Sequence, residues 1–212
     1  MPFFTVLAGP NGAGKSTFSA LFSRPGALIF DPDIQKSKIE KQYPDITDDA
    51  LESALTRVYI NFQQKAIGTM LHLTVETNLR SDFLLESVDL FKNAGYETRL
   101  IYMLLPDLSA SIDRVDLRVK QKGHFIDTGS IKINFEEGPK NLLKIANQFD
   151  RVMLLSGFNN NPSVETQPEQ LLSIANGITL HKAEVMPDWA RGFVEATEAL
   201  SAYNQTSKGR KR

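Results

Sequence analysis

Residues 9–16 read Gly-Pro-Asn-Gly-Ala-Gly-Lys-Ser, an instance of G-x-x-x-x-G-K-[ST], and no other stretch restricts the fold so tightly. This phosphate-binding loop (P-loop) pattern needs a strand before it and a helix after it. Phe3 to Ala8 is a short apolar run with β-branched Thr5 and Val6, as a buried parallel strand requires. From Lys15 to Phe22 the apolar residues Phe18, Leu21 and Phe22 recur at helical spacing. In that setting, successive backbone N–H groups curl inward around an anion. Gly9 and Gly14 allow torsions and close approaches that a side chain would block. Lys15 is expected to lay its ammonium against the β- and γ-phosphates of a nucleoside triphosphate, ATP. Ser16 would offer its hydroxyl to a magnesium ion (Mg2+), and the helix N-terminus faces the same charge. The expected nucleotide contacts are Gly9, Asn11, Gly12, Ala13, Gly14, Lys15, Ser16 and Thr17.

The rest of the chain repeats the strand–helix alternation. Ala27 to Phe30 reads as a second strand ending in Asp31-Pro32-Asp33, and Leu71 to Val75 as a third ending in Glu76-Thr77-Asn78. Thr98 to Leu105 is a fourth, closed by Pro106, and Arg151 to Ser156 a fifth. Between them lie helical patterns: one broken near Pro44, one from Thr47 or Asp48 to Gly68, one from Ser81 to Gly95, and one from about Ser109 to Lys122. A further helix begins at Thr128, is expected to break at Gly138-Pro139, and resumes to about Gln148. Nearly all-apolar strands alternating with helices predict an α/β fold: a mainly parallel five-stranded sheet with helices on both faces. Right-handed crossovers then place a ligand at the C-terminal edge of the sheet. Beyond a loop at Asn159 to Pro162, Asn176-Gly177 marks a small C-terminal hairpin, and Trp189 to about Ala202 a closing helix.

At 212 residues the chain suits one domain over 1–206, with a core over 3–156 and an extension over 157–206. Residues 207–212 are expected to be a basic disordered tail. The 24 Lys and Arg nearly cancel the 25 Asp and Glu, so no global field attracts nucleic acid. Zero cysteines exclude a disulfide framework and thiol chemistry. With no long apolar run and no signal-peptide pattern, a cytoplasmic protein without membrane contact is expected.

The strand ends must say what the loop serves. Asp33 follows the second strand, where a carboxylate accepts the proton of an attacking hydroxyl in phosphoryl transfer. The alternative is that Asp33 caps the helix starting at Ile34, or belongs to a turn. Glu76, Thr77, Asn78 and Arg80 follow the third strand and suit a polyhydroxylated acceptor or metal-bound water, or else an ordinary loop start. Arg114 and Arg118 lie four apart on one helical face, placed to clamp phosphates or to pair with Asp113 and Asp116. His124 after Gly123 serves binding or a plain hydrogen bond.

Taken in order, Leu7 to Thr17, Phe30-Asp-Pro-Asp33, Val75-Glu-Thr77, Arg114 to Val119 and Gly123-His124 resemble the zeta-toxin-like P-loop kinases, whose bacterial relatives are often labelled predicted ABC-type ATPases. The resemblance runs to about Ser156. It implies a P-loop NTPase fold of the nucleotide-kinase type and transfer of the ATP γ-phosphate to a hydroxyl of a UDP-N-acetyl amino sugar. It also implies an antitoxin as partner beside the small-molecule acceptor. By position, Lys15 and Ser16 match the phosphate and magnesium residues, Asp33 the acceptor-activating aspartate, Glu76 and Thr77 the acceptor-binding strand end, and Arg118, with Arg114, a lid arginine. The chain departs from the family at Lys122-Gly123-His124, where relatives carry Gly-Gly-His, and at Asn134-Phe135, where they carry Arg-Tyr. Lys132 is the nearby candidate to replace that arginine's charge, without its bidentate fork. Two other readings stay open: an ATP-hydrolysing ATPase, although no Leu-Ser-Gly-Gly-Gln-like signature is present, and a nucleotide-binding protein without phosphotransfer.

Overall fold

The computed structural model describes residues 1–121, 125–157 and 167–209. Its frame is one sheet in the order β2-β3-β1-β4-β5-β6-β7. The strands are β1 (Phe3–Ala8), β2 (Leu28–Phe30), β3 (Leu73–Thr77), β4 (Glu97–Leu104), β5 (Arg151–Ser156), β6 (Glu169–Ala175) and β7 (Ile178–Lys182). The helices are α1 (Lys15–Phe22), α2 (Pro32–Gln42), α3 (Asp48–Thr69), α4 (Leu85–Asn93), α5 (Leu108–Lys120), α6 (Thr128–Ile145) and α7 (Asp188–Gly209). The first five strands are mutually parallel, as their unbroken apolar character requires.

Strand periodicity explains why both faces must be covered. Phe4, Val6 and Ala8 of β1 join Leu100, Tyr102 and Leu104 of β4 in one core. The alternate residues Leu7, Ile101 and Met103 join Leu155 in a second core, against Phe18, Phe22 and Phe135. The larger core takes Val88 and Phe91 from α4 and Val194 from α7, with Phe4 stacked on Phe91 at 4.2 Å between ring centroids.

Several expected boundaries move. The hairpin is not a separate appendage: β6 pairs antiparallel with β5, and β7 with β6, so it prolongs the sheet. Its turn is at Asn176-Gly177, both with positive φ (49° and 78°), the geometry that Asn-Gly favours. Helix α6 runs through Gly138-Pro139 without a break. Proline removes one backbone donor there, and burial of Ile131, Leu142 and Ile145 along the same helix holds it together. Helix α3 passes Gly68 and ends with Met70 in the left-handed region (φ 53°), and α4 begins at Leu85 rather than at Ser81. The expected loop at Asn159 to Pro162 lies outside the described residues. No helix among the described residues is long and apolar enough to cross a membrane.

At the opposite edge from the site, His72 ties β1 to the segment before β3, its Nδ1 accepting the Phe3 N–H at 2.9 Å. Burial first, then the charges of Arg24, Arg99 and the N-terminus, holds the His72 pKa below the ordinary histidine value. On acidification the unfolded chain therefore binds this proton before the folded one. The stability it contributes is complete above about pH 6.5 and is lost as pH falls through the lower folded value. His72→Gln is expected to flatten the acid side of the melting-temperature profile relative to wild type. Parallel profiles for the two proteins would refute it.

Candidate active site

The phosphate loop closes in the space that β4 leaves. A Cβ on Gly9 would stand 2.5 Å from the Met103 carbonyl oxygen, and its φ of 147° is one that side chains disfavour. Gly12 is similarly pressed, with φ 75° and a would-be Cβ 2.9 Å from the Cβ of Arg114. The Ala13 N–H donates to the Pro10 carbonyl at 3.2 Å, which rounds the loop. Gly14 caps α1 without a side-chain acceptor, and the first turn of α1 carries no acidic residue. Its free N–H groups are thus left for an anion from outside the helix.

Lys15 crosses the cleft. Its Nζ donates to the carbonyls of Gly9 (2.8 Å) and Pro10 (3.1 Å) and to Asn78 Oδ1 (2.8 Å). Burial, and to a lesser degree the nearby charge of Arg118, lowers its pKa to about 8 against the opposing charges of Glu76, Asp33 and Asp31. Three carboxylates and one guanidinium therefore act on the same ammonium.

Ser16 draws two of those carboxylates together. Its hydroxyl lies 2.7 Å from Glu76 Oε2 and 3.2 Å from Asp31 Oδ2. The register explains the meeting. Phe30 pairs with Val75, so Asp31 and Glu76 leave neighbouring strands at the same level, and Leu7 pairs with Glu76 beside the loop. Both carboxylates are buried, at 7% and 4% exposure. Burial raises the Glu76 pKa and the charge of Asp31 adds to the rise, against the hydrogen bond from Ser16. One hydroxyl proton cannot serve two carboxylates. The all-oxygen set of Ser16, Asp31 and Glu76 is the donor type a magnesium ion prefers. Among the described residues no group of three or more His, Cys, Asp or Glu side chains gathers as a metal site, so the hydroxyl is needed to complete this set.

The other expected residues fall into distinct places. Asp33 is exposed in the first turn of α2, and the cap of that helix is Asp31, which accepts the N–H groups of Asp33 (2.9 Å) and Ile34 (3.3 Å). Asn78 holds Lys15, while Thr77 Oγ1 accepts the Leu79 N–H at 2.9 Å. Thr17 and Arg80 are exposed. Arg114 meets the loop from behind, donating to the carbonyls of Gly12 and Gly157. Arg118, one turn further on α5, is half-buried near Lys15. Lys132 stands at the surface, 3.9 Å from Glu136. Lys122 and His124 lie outside the described residues.

Three contacts of the loop, made by Asp31, Ser111 and Asn134, escape a reading of the chain. Asp31 was legible only as one of two aspartates after a strand; the proline between them decides which one caps. Ser111 Oγ donates to the Asn11 carbonyl at 2.6 Å, and Asn134 Nδ2 donates to Asn11 Oδ1 at 2.8 Å. No local signal marks either, since both join residues a hundred or more positions apart.

The zeta toxin family model matches residues 1–164. The chain belongs to the zeta toxin family. An uncharacterized protein of Haemophilus influenzae is 27% identical over 128 residues, 60% of this chain and 88% of that protein. Among solved structures, the PezAT toxin–antitoxin system of Streptococcus pneumoniae superposes with a TM-score of 0.61 at 16% identity, covering 98% of this chain and 87% of that one. The AvrRxo1-ORF1:AvrRxo1-ORF2 complex gives a TM-score of 0.63 at 16% identity, over 93% of this chain and 64% of that one. That complex is also known with ATP. At these identities the likeness is one of fold, and the fold of this zeta toxin family member is that of the P-loop kinases.

Proposed function

We propose that this protein is an ATP- and magnesium-dependent phosphotransferase that moves the γ-phosphate to a hydroxyl of a small polar acceptor. The acceptor class we propose, which rests on the resemblance alone, is a UDP-N-acetyl amino sugar. The observation that carries the reading is the convergence of Lys15, Ser16, Asp31 and Glu76 at the mouth of a phosphate loop. In this reading the loop amides and Lys15 bind and orient the triphosphate tail. Ser16, Asp31 and Glu76 hold magnesium, which when bound neutralises charge on the phosphate oxygens. Asp33, exposed in the first turn of α2 and with its charge felt at Lys15, takes the acceptor hydroxyl proton and fixes the line of attack. Arg118 stabilises charge that develops on the transferred group. Thr77 and Arg80, on the acceptor side, and His124 are assigned to acceptor binding, with Asn78 released to it once Lys15 engages phosphate. Arg114 supports nucleotide binding by holding the Gly12 carbonyl. An antitoxin, as in the PezAT system, is the partner this reading implies.

Incubation with MgATP and a panel of UDP-sugars, nucleosides and free sugars tests it, with products read by mass. A gain of one phosphoryl group on a panel member, absent with Lys15→Ala, is the expected result. Steady ADP release without any acceptor would identify an ATPase instead, and ATP binding without turnover would leave only a nucleotide-binding protein.

A further inference from the structure

Helix α6 touches both halves of the site with uncharged groups. Asn134, Gly138 and Asn141 fall at i, i+4 and i+7 and therefore share one face. Asn134 reaches the phosphate loop through Asn11 Oδ1. Asn141 Nδ2 donates to the Leu79 carbonyl at 3.0 Å, in the segment that follows β3. The two asparagines are 7% and 5% exposed. Between them, Gly138 lets the helix come against that same segment. A Cβ there would stand 2.9 Å from the Asn78 carbonyl oxygen and 2.5 Å from the Tyr102 hydroxyl. Leu79, fully buried, has a φ of 56°, which non-glycine residues seldom adopt. Its N–H and carbonyl are both engaged, by Thr77 Oγ1 and by Asn141.

We propose that Asn134 and Asn141 are positioning residues that make α6 a spacer between the phosphate loop and the acceptor-side segment Asn78–Leu79. A more direct link, Lys15 to Asn78, also crosses the cleft. A bound triphosphate competes for that ammonium, whereas the asparagine contacts are made by α6 and do not involve it. The spacer therefore keeps the two halves in register when nucleotide is present. Asn134 thus holds the loop through a neutral hydrogen bond and contributes no charge to it.

The inference rests on the reading that ATP binds this loop, and the test separates the two. MgATP is titrated by calorimetry, and amide hydrogen exchange is followed in free and bound protein. Asn134→Ala is expected to weaken MgATP binding about tenfold, the effect of one buried hydrogen bond. Asn11→Ala/Asn134→Ala should be no weaker than Asn11→Ala by more than about twofold, because both remove the same contact. Asn141→Ala should bind MgATP within about threefold of wild type and yet exchange Leu79 to Phe83 amides about tenfold faster, with Val6 and Leu100 unchanged. If Asn134→Ala does not fold, Asn134→Ser takes its place. Unchanged affinity in the Asn134 variant, additivity in the double variant, or unchanged exchange at Leu79 to Phe83 in Asn141→Ala overturns the spacer. If wild type binds no MgATP, the functional reading fails. The spacer is then judged in free protein, by faster exchange at Gly12 to Lys15 in the Asn134 variant and at Leu79 to Phe83 in the Asn141 variant, and fails if either is unmoved.

Discussion

Asp33→Asn is expected to lower acceptor phosphorylation about 10²- to 10⁴-fold, the usual worth of a positioned general base. MgATP affinity should change little, because the nucleotide is held by the loop and by Lys15. The substitution is a clean probe because the start of α2 does not depend on the Asp33 carboxylate. Asp31 supplies the cap, through the N–H groups of Asp33 and Ile34, and proline occupies the first helical position. The asparagine amide is nearly isosteric with the carboxylate and lies at an exposed position. Loss of turnover therefore would not report a broken helix. Single-turnover phosphorylation, with calorimetry on the same preparation, gives both quantities. Full turnover in Asp33→Asn would remove this residue from the reaction and shift attention to Asp31 and Glu76.

Lys15→Met is expected to cost about 10²- to 10³-fold in turnover, as removal of one preorganised donor to developing charge does. It should also change two pH dependences. The folded pKa of Lys15 is lowered to about 8, chiefly by burial, whereas the unfolded value is about 10.4. Between those values the unfolded state binds more protons, so the stability of wild type rises with pH across that window. Below the window the cost of burying the ammonium is in place. That cost is on the order of 3 kcal/mol at about 1.36 kcal/mol per unit. Lys15→Met should show no such rise. Binding has the opposite sign. A triphosphate favours the charged amine, so MgATP binding weakens as pH rises through about 8 and takes up a proton there. Calorimetry at about pH 8.5 in two buffers of different ionisation enthalpy would reveal that uptake. Identical heats in the two buffers, or the same alkaline rise in stability in Lys15→Met, would show that Lys15 does not titrate in this way.

Much of the frame could be read along the chain. Strand, loop and helix around Gly9 to Ser16, the five parallel strands, and the Asn176-Gly177 turn each rest on short-range pattern: apolar runs, helical spacing, and backbone torsions suited to Asn and Gly. Other features depend on neighbours that no local pattern names. The hairpin could have stood apart, and it joins the sheet because β5 offers it an open edge. Helix α6 continues past Pro139 because its buried face outweighs one lost hydrogen bond.

The same division runs through the site. Residue types and their place after strands were enough to nominate Lys15, Ser16, Asp33 and Glu76. They could not tell that Asp31 rather than Asp33 faces Ser16, that Asn78 receives the Lys15 ammonium, or that Asn134 reaches Asn11. A chain announces the chemistry it carries through which atoms it owns. Which of those atoms meet is settled by strand register and by helices packing across more than a hundred residues, where burial and close contact outrank local preference.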